Sequence, residues 1–112
     1  MKNKTTLLNL AEKDFNHHVL ASMQPVLVLF GTPWSGSCHI MTPIIEELSR
    51  EFSGKIRFYK LAVDQFPTAA GKFDIRMNPT LVIFKNGKIL DHETGVVSKT
   101  RLADKLKAAL AS

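Results

Sequence analysis

The only thiol in the chain, Cys38, closes the stretch Trp34-Ser35-Gly36-Ser37-Cys38, between an apolar run and a helical pattern. Thiol–disulfide exchange needs a thiolate to attack and a second thiol to release the product, so a lone cysteine restricts the chemistry available. In the first turn of a helix, Cys38 would meet free backbone N–H groups and the positive end of the helix dipole, which favour a thiolate. Ser35 as a nucleophile would need a base within reach; none is evident, and His39 sits further along the helix. The simpler expectation for Ser35 is a helix N-cap, its oxygen accepting from the backbone of Ser37 or Cys38. Cys38, His39 and Met41 offer thiolate, imidazole and thioether, a soft set suited to copper or zinc. Adjacent helical residues diverge by roughly a hundred degrees, however, so Cys38 and His39 do not share a face, and Met41 belongs to the apolar stripe. No metal site and no cofactor is expected, and His17, His18 and His92 are read as solvent-facing.

The chain that must position this stretch has 112 residues, enough for one domain, taken as 1–112, and too few for two. Its 45% hydrophobic and 22% charged residues read as an ordinary soluble globular protein. The start, Met1-Lys2-Asn3-Lys4, is basic, but Leu7, Leu8 and Leu10 are interrupted by Asn9 and followed by Glu12 and Lys13, which gives no signal-peptide core. No run approaches a membrane span, and a cytoplasmic location is expected. The single cysteine agrees, since one thiol cannot make an internal disulfide framework. The net charge of +5 comes from scattered Lys and Arg without interleaved aromatic residues, so a solvated surface is expected and no specific nucleic-acid site.

Short apolar segments alternate with helical patterns. Thr6-Leu7-Leu8 reads as a first strand, and Ala11 to Met23, with Phe15, Val19 and Met23 four apart, as an amphipathic helix ended by Pro25. Val26 to Phe30 is continuously apolar, the signature of a central strand covered on both faces. From Ser37 to about Phe52, residues Ile40, Met41, Ile44, Ile45, Leu48 and Phe52 mark an apolar helical face, and Pro43 is expected to kink the helix. Ile56 to Val63 is another strand, which makes a parallel crossover. Gln65 to Phe73 is a short, weak helix. Thr80 to Phe84 is an apolar strand, and Asn86-Gly87 is a two-residue hairpin signal. Ser98 can cap a last helix whose Leu102, Leu106 and Leu110 face the core.

These features resemble the thioredoxin family from end to end: a central strand running into Trp34, a helix carrying Pro43, the segment "KLAVDQFP" from Lys60 to Pro67, "NPT" at Asn78-Pro79-Thr80, the "FKNGK" hairpin and Gly95. The resemblance implies an α/β thioredoxin fold, a central mixed sheet flanked by helices, with Pro79 as the family's cis-proline facing the site. It also implies that W-C-G-P-C has become Trp34-Ser35-Gly36-Ser37-Cys38. Ser35 then stands at the position of the family's nucleophilic cysteine and Cys38 at that of the resolving one. The family's buried acid in the central strand aligns with Leu29, so its neighbour, aligned with Lys60, lacks its usual partner. These coordinated departures read as divergence rather than as a single disabling substitution. The family's second thiol is shielded, and burial in apolar surroundings disfavours a thiolate, so Cys38 is read as a half-buried relic.

The expected function is a thioredoxin-like module that binds proteins or peptides, including thiol- or disulfide-containing ones, without dithiol turnover. The surface would be formed by Trp34, Gly36, Ser37, Asn78, Pro79 and Gly95. The alternative is an oxidoreductase of cell redox homeostasis in which Cys38 forms a mixed disulfide and an external thiol resolves it. Two-cysteine activity is not expected in either case; Cys38 is the one candidate catalytic thiol and Ser35 is inert. A monomer is expected, with a Cys38-linked dimer as the other possibility.

Overall fold

The computed structural model of the chain describes residues 7–32, 36–63 and 79–112. Five strands form one mixed sheet in the order β1-β3-β2-β4-β5. They are β1 (Leu7–Asn9), β2 (Val26–Gly31), β3 (Arg57–Ala62), β4 (Thr80–Lys85) and β5 (Lys88–Thr94), and the helices are α1 (Gly36–Glu51) and α2 (Lys99–Ala111). β3 pairs parallel with β1 and β2, whereas β4 runs antiparallel to both β2 and β5. Every residue of β2 is buried, as its unbroken apolar run predicts for a strand covered on both faces.

Alternation along β2 divides the core. Leu27 and Leu29 face α1 and α2, where Met41, Ile45, Leu48, Leu102, Leu106 and Ala109 meet them. Val26, Val28 and Phe30 face the other way, toward Phe15, Val19, Tyr59 and Phe84. Each fully buried aliphatic or aromatic side chain contributes about 1.5–3 kcal/mol through the water it sheds, so these two layers carry the sheet. Phe15 stands edge-on to Phe84, ring centroids 5.6 Å apart.

Expectation and structure part in three places. Residues 11–23 do not form one α-helix: a 3-10 turn (Glu12–Asp14) leads into a single wide π-turn (Asn16–Leu20), with Ala21 N–H donating to the Asn16 carbonyl at 2.9 Å. Asn16, His17 and His18 are weak helix formers, and burying Phe15 and Val19 takes only one turn. Met23 is 93% exposed, because the chain has already turned toward β2. On α1, Cys38, Met41, Ile45 and Leu48 form the buried stripe, leaving Ile40, one position round from Met41, 54% exposed. On α2, Ala109 takes the core position expected of Leu110, which is 39% exposed; Leu102, Leu106 and Ala109 keep the i, i+4, i+7 spacing. The helix α1 runs continuously through the exposed Pro43. Thr6 and the segment Gln65 to Phe73 lie outside the described residues.

The hairpin forms as its residues require. Asn86 (φ 55°) and Gly87 (φ 79°) take the left-handed conformation that a tight antiparallel turn needs. Ser98 caps α2, its hydroxyl accepting from Arg101 N–H at 3.1 Å. At the other end of α2, Lys85 of β4 donates from Nζ to the Ala109 carbonyl at 2.7 Å, placing a cation at a helix C-terminus.

Candidate functional site

The β2–α1 junction is built by a buried strand delivering the chain to the helix that carries Cys38. Gly36 opens α1 and is exposed, Ser37 is half-buried, and Cys38 is 6% exposed. No carboxylate occupies the first turn. The Thr42 hydroxyl donates to the Cys38 carbonyl at 2.7 Å, a local bond one turn ahead that holds the segment before Pro43. Trp34, Ser35 and Asn78 lie outside the described residues, as does any cap that Ser35 would make.

Two further segments converge at this end of the sheet. Pro79 is buried at the start of β4, and its carbonyl accepts from Gly95 N–H at 2.9 Å; Gly95 has φ 76°. Two residues on, the buried Val97 N–H donates to the Met41 sulfur at 3.3 Å, tying α1 to the chain that follows β5. Cys38 and the Pro79/Gly95 pair are thus fixed to one framework, through a methionine one turn beyond the thiol. Val96, 54% exposed beside Gly95, adds apolar surface there that the sequence reading omitted.

On the side of β3, Leu29 of β2 stands in register with Lys60 of β3, and Lys60 with Asn9 of β1. Phe58, two residues before Lys60, packs in the α1 layer, so Lys60 faces α1 as Leu29 does. Between this row and α1 opens a cleft of about 300 Å³, lined among others by Asn9, Leu29, Cys38, His39, Thr42 and Lys60. The structure therefore brings together the thiol Cys38, Leu29 and Lys60. Asn9 and Thr42 carried no signal in the sequence, and His39 was weighed only as a base or ligand. The three residues of the soft metal set do not converge: Cys38 is buried, His39 is exposed, and the Met41 sulfur accepts from Val97. Among the described residues no three His, Cys, Asp or Glu side chains gather in a metal-binding group, and no helix is long and apolar enough to cross a membrane.

A mixed sheet with α1 following its central strand, a thiol in the first turn of that helix and a buried proline at the same end of the sheet define a thiol-site α/β protein. The thioredoxin family profile matches residues 6–108, and the chain belongs to the thioredoxin family. It is 41% identical over 105 residues to a chloroplastic M-type thioredoxin of Pisum sativum, covering 94% of this chain and 60% of that protein. It is 41% identical over 100 residues to a thioredoxin of Synechocystis, covering 89% of this chain and 94% of the relative. A thioredoxin of Rickettsia felis is 40% identical over 96 residues, 86% of this chain and 91% of its own length. The chain thus spans about 60% of the pea protein's length, under two thirds of it, and nearly all of the two bacterial ones.

Proposed function

We propose that this chain is a thioredoxin-family protein that docks extended protein or peptide segments at the Pro79/Gly95 end of the sheet without dithiol turnover. The observation that carries the reading is the state of its one thiol: Cys38 is 6% exposed, on the buried stripe of α1. Ser35, with no sulfur to offer, stands where the family has its attacking cysteine. An exchange cycle requires a thiolate that reaches the substrate disulfide and a second thiol that expels the product, and this sequence supplies one thiol, not two. What persists is the framework a docking surface needs: the Gly95–Pro79 hydrogen bond, the Met41–Val97 tie and the apolar Val96. In this reading Trp34, Gly36, Ser37, Asn78, Pro79 and Gly95 form the partner surface of a single domain over 1–112, a cytoplasmic monomer.

The cleft supports a second reading, because Cys38 lines it and a small thiol reagent has a way in. There Cys38 would form a mixed disulfide that an external thiol resolves.

Reduction of a protein disulfide, with dithiothreitol as regenerating reductant, separates the cases. The chain as it stands gives the rate of dithiothreitol alone, and Ser35→Cys raises it, because only the attacking sulfur was missing from an intact surface. Turnover by the unaltered chain that disappears in Cys38→Ser establishes the second reading instead. A Ser35→Cys, Ser37→Pro, Leu29→Asp variant that folds and stays at background shows that the docking surface has been lost.

A further inference from the structure

The cleft beside Cys38 holds a cation that none of its described walls answers. Among the described residues its lining contains Lys60 and no carboxylate, and the Lys60 ammonium makes no ion pair or hydrogen bond with any described residue. Lys60 is only half-buried, yet it projects from the middle of a sheet row between Asn9 and Leu29, beneath α1. An ammonium in a partly closed apolar recess is costly without a counter-charge, and leucine at position 29 cannot provide one.

We propose that this cleft binds a small organic anion: a monocarboxylate with a short apolar body, its carboxylate on Lys60 and its body against Leu29, Ala62 and Cys38. The class follows from the walls. A single lysine is a compact point charge suited to a monoanion, whereas a phosphate is best met by clustered cations or a bidentate arginine, and the described lining has one lysine and no arginine. Apolar side chains dominate the remaining surface, and about 300 Å³ is the low end of what small-molecule sites enclose. Asn9, at the edge of the same row, supplies an amide that can donate to the second carboxylate oxygen. The Thr42 hydroxyl hydrogen already goes to the Cys38 carbonyl, so Thr42 borders the ligand without donating to it. Of the described residues of the docking surface, Gly36, Ser37, Pro79 and Gly95, none lines the cleft, so the proposal does not rest on that reading.

Benzoate and its neutral isostere benzamide are the probes, titrated into the whole chain and followed by amide NMR shifts. Alkylation of Cys38 by neutral iodoacetamide gives a second readout, since an occupant of the cleft lies against the sulfur. Benzoate should bind roughly tenfold or more tighter than benzamide, the scale of a hydrogen bond to a charged group. It should also slow alkylation of Cys38. Lys60→Met should remove both effects, and Leu29→Asp, which places a carboxylate beside the ammonium, should remove them independently. Lys88→Met, on the exposed hairpin, should keep them, separating Lys60 from the general +5 charge. Equal binding of benzoate and benzamide, benzoate binding that survives in folded Lys60→Met, or an equal loss in Lys88→Met would each overturn the proposal.

Discussion

Gly95 and Gly36 look interchangeable in sequence and differ in what their backbones do. Gly95 sits at φ 76°, in the left-handed region, while its N–H is held by the Pro79 carbonyl; a Cβ there would meet no atom of a described residue within 4 Å. Any cost of Gly95→Ala is therefore conformational rather than steric crowding, and about 1–2 kcal/mol of stability should be lost in urea unfolding. Gly36 likewise has no described residue within 4 Å of its missing Cβ, but it is the first residue of α1. Gly36→Ala should leave stability unchanged or raise it by up to about 0.5 kcal/mol, because alanine restricts the unfolded chain without straining the helix. Met41 gives a third contrast. It is fully buried and its sulfur accepts the Val97 N–H, so Met41→Leu keeps the volume and orphans a buried donor. The loss should be about 1–3 kcal/mol, where a simple core exchange of this kind costs less than about 1.5. A midpoint identical to that of the parent would show that the sulfur contact contributes nothing.

Among elements, α2 depends on its first turn. Ser98→Ala removes the acceptor for Arg101 N–H and should cost about 1 kcal/mol, measured by thermal or urea unfolding, whereas Ser98→Asp should restore most of it. That cap was legible in the sequence, as were β2, the Asn86-Gly87 hairpin and the main stripe of α1, because each rests on local chemistry or on a period sustained over several turns. The segment 11–23 was not. Phe15 and Val19 four apart satisfy an α-helix and an isolated wide turn equally well, and nothing local says where the chain must leave to reach β2. Ile40 and Leu110 were misjudged for a related reason: an apolar residue beside a buried stripe counts toward the pattern until packing selects its neighbour, Met41 or Ala109. At the site, Cys38 was visible as a lone thiol and Leu29 and Lys60 only through family resemblance. The cleft needed the register of β1, β2 and β3, which places Asn9, Lys60 and Leu29 in one row although they are far apart in the chain.

Across the whole molecule, the helical layer is held to the sheet edge by charges that should set its behaviour with pH. Lys105 of α2 reaches Asp91 at 2.7 Å and Glu93 at 3.0 Å on β5, and Arg101 reaches Glu93 at 2.7 Å. Lys99 at the start of α2 meets Glu47 and Glu51 of α1. The hydrogen bond from Arg101, followed by that from Lys105, holds the Glu93 carboxyl below its ordinary value of 4.5, and the bond from Lys105 holds Asp91 below 3.8. Both carboxyls bind protons less readily folded than unfolded. Their contribution is present above those ordinary values and disappears as the pH falls through the lowered folded ones. Lys105 is shifted upward by Asp91 and then Glu93, so its share is complete below 10.5 and is lost as the pH rises past the raised value. Stability should thus be level between the two limbs and fall on the acid side below about 4.5. The side chain of Glu93 is 16% exposed and that of Lys105 21%, while Arg101 at 64% is well solvated, so water screens much of this network. Glu93→Gln should lower stability at pH 7 by about 0.5–1 kcal/mol and make the acid limb shallower, since one of the linked protons is gone. Urea midpoints of the two proteins from pH 3 to 11 decide it. Acid limbs of equal steepness would mean that general repulsion in a chain already carrying +5, not this network, governs acid unfolding.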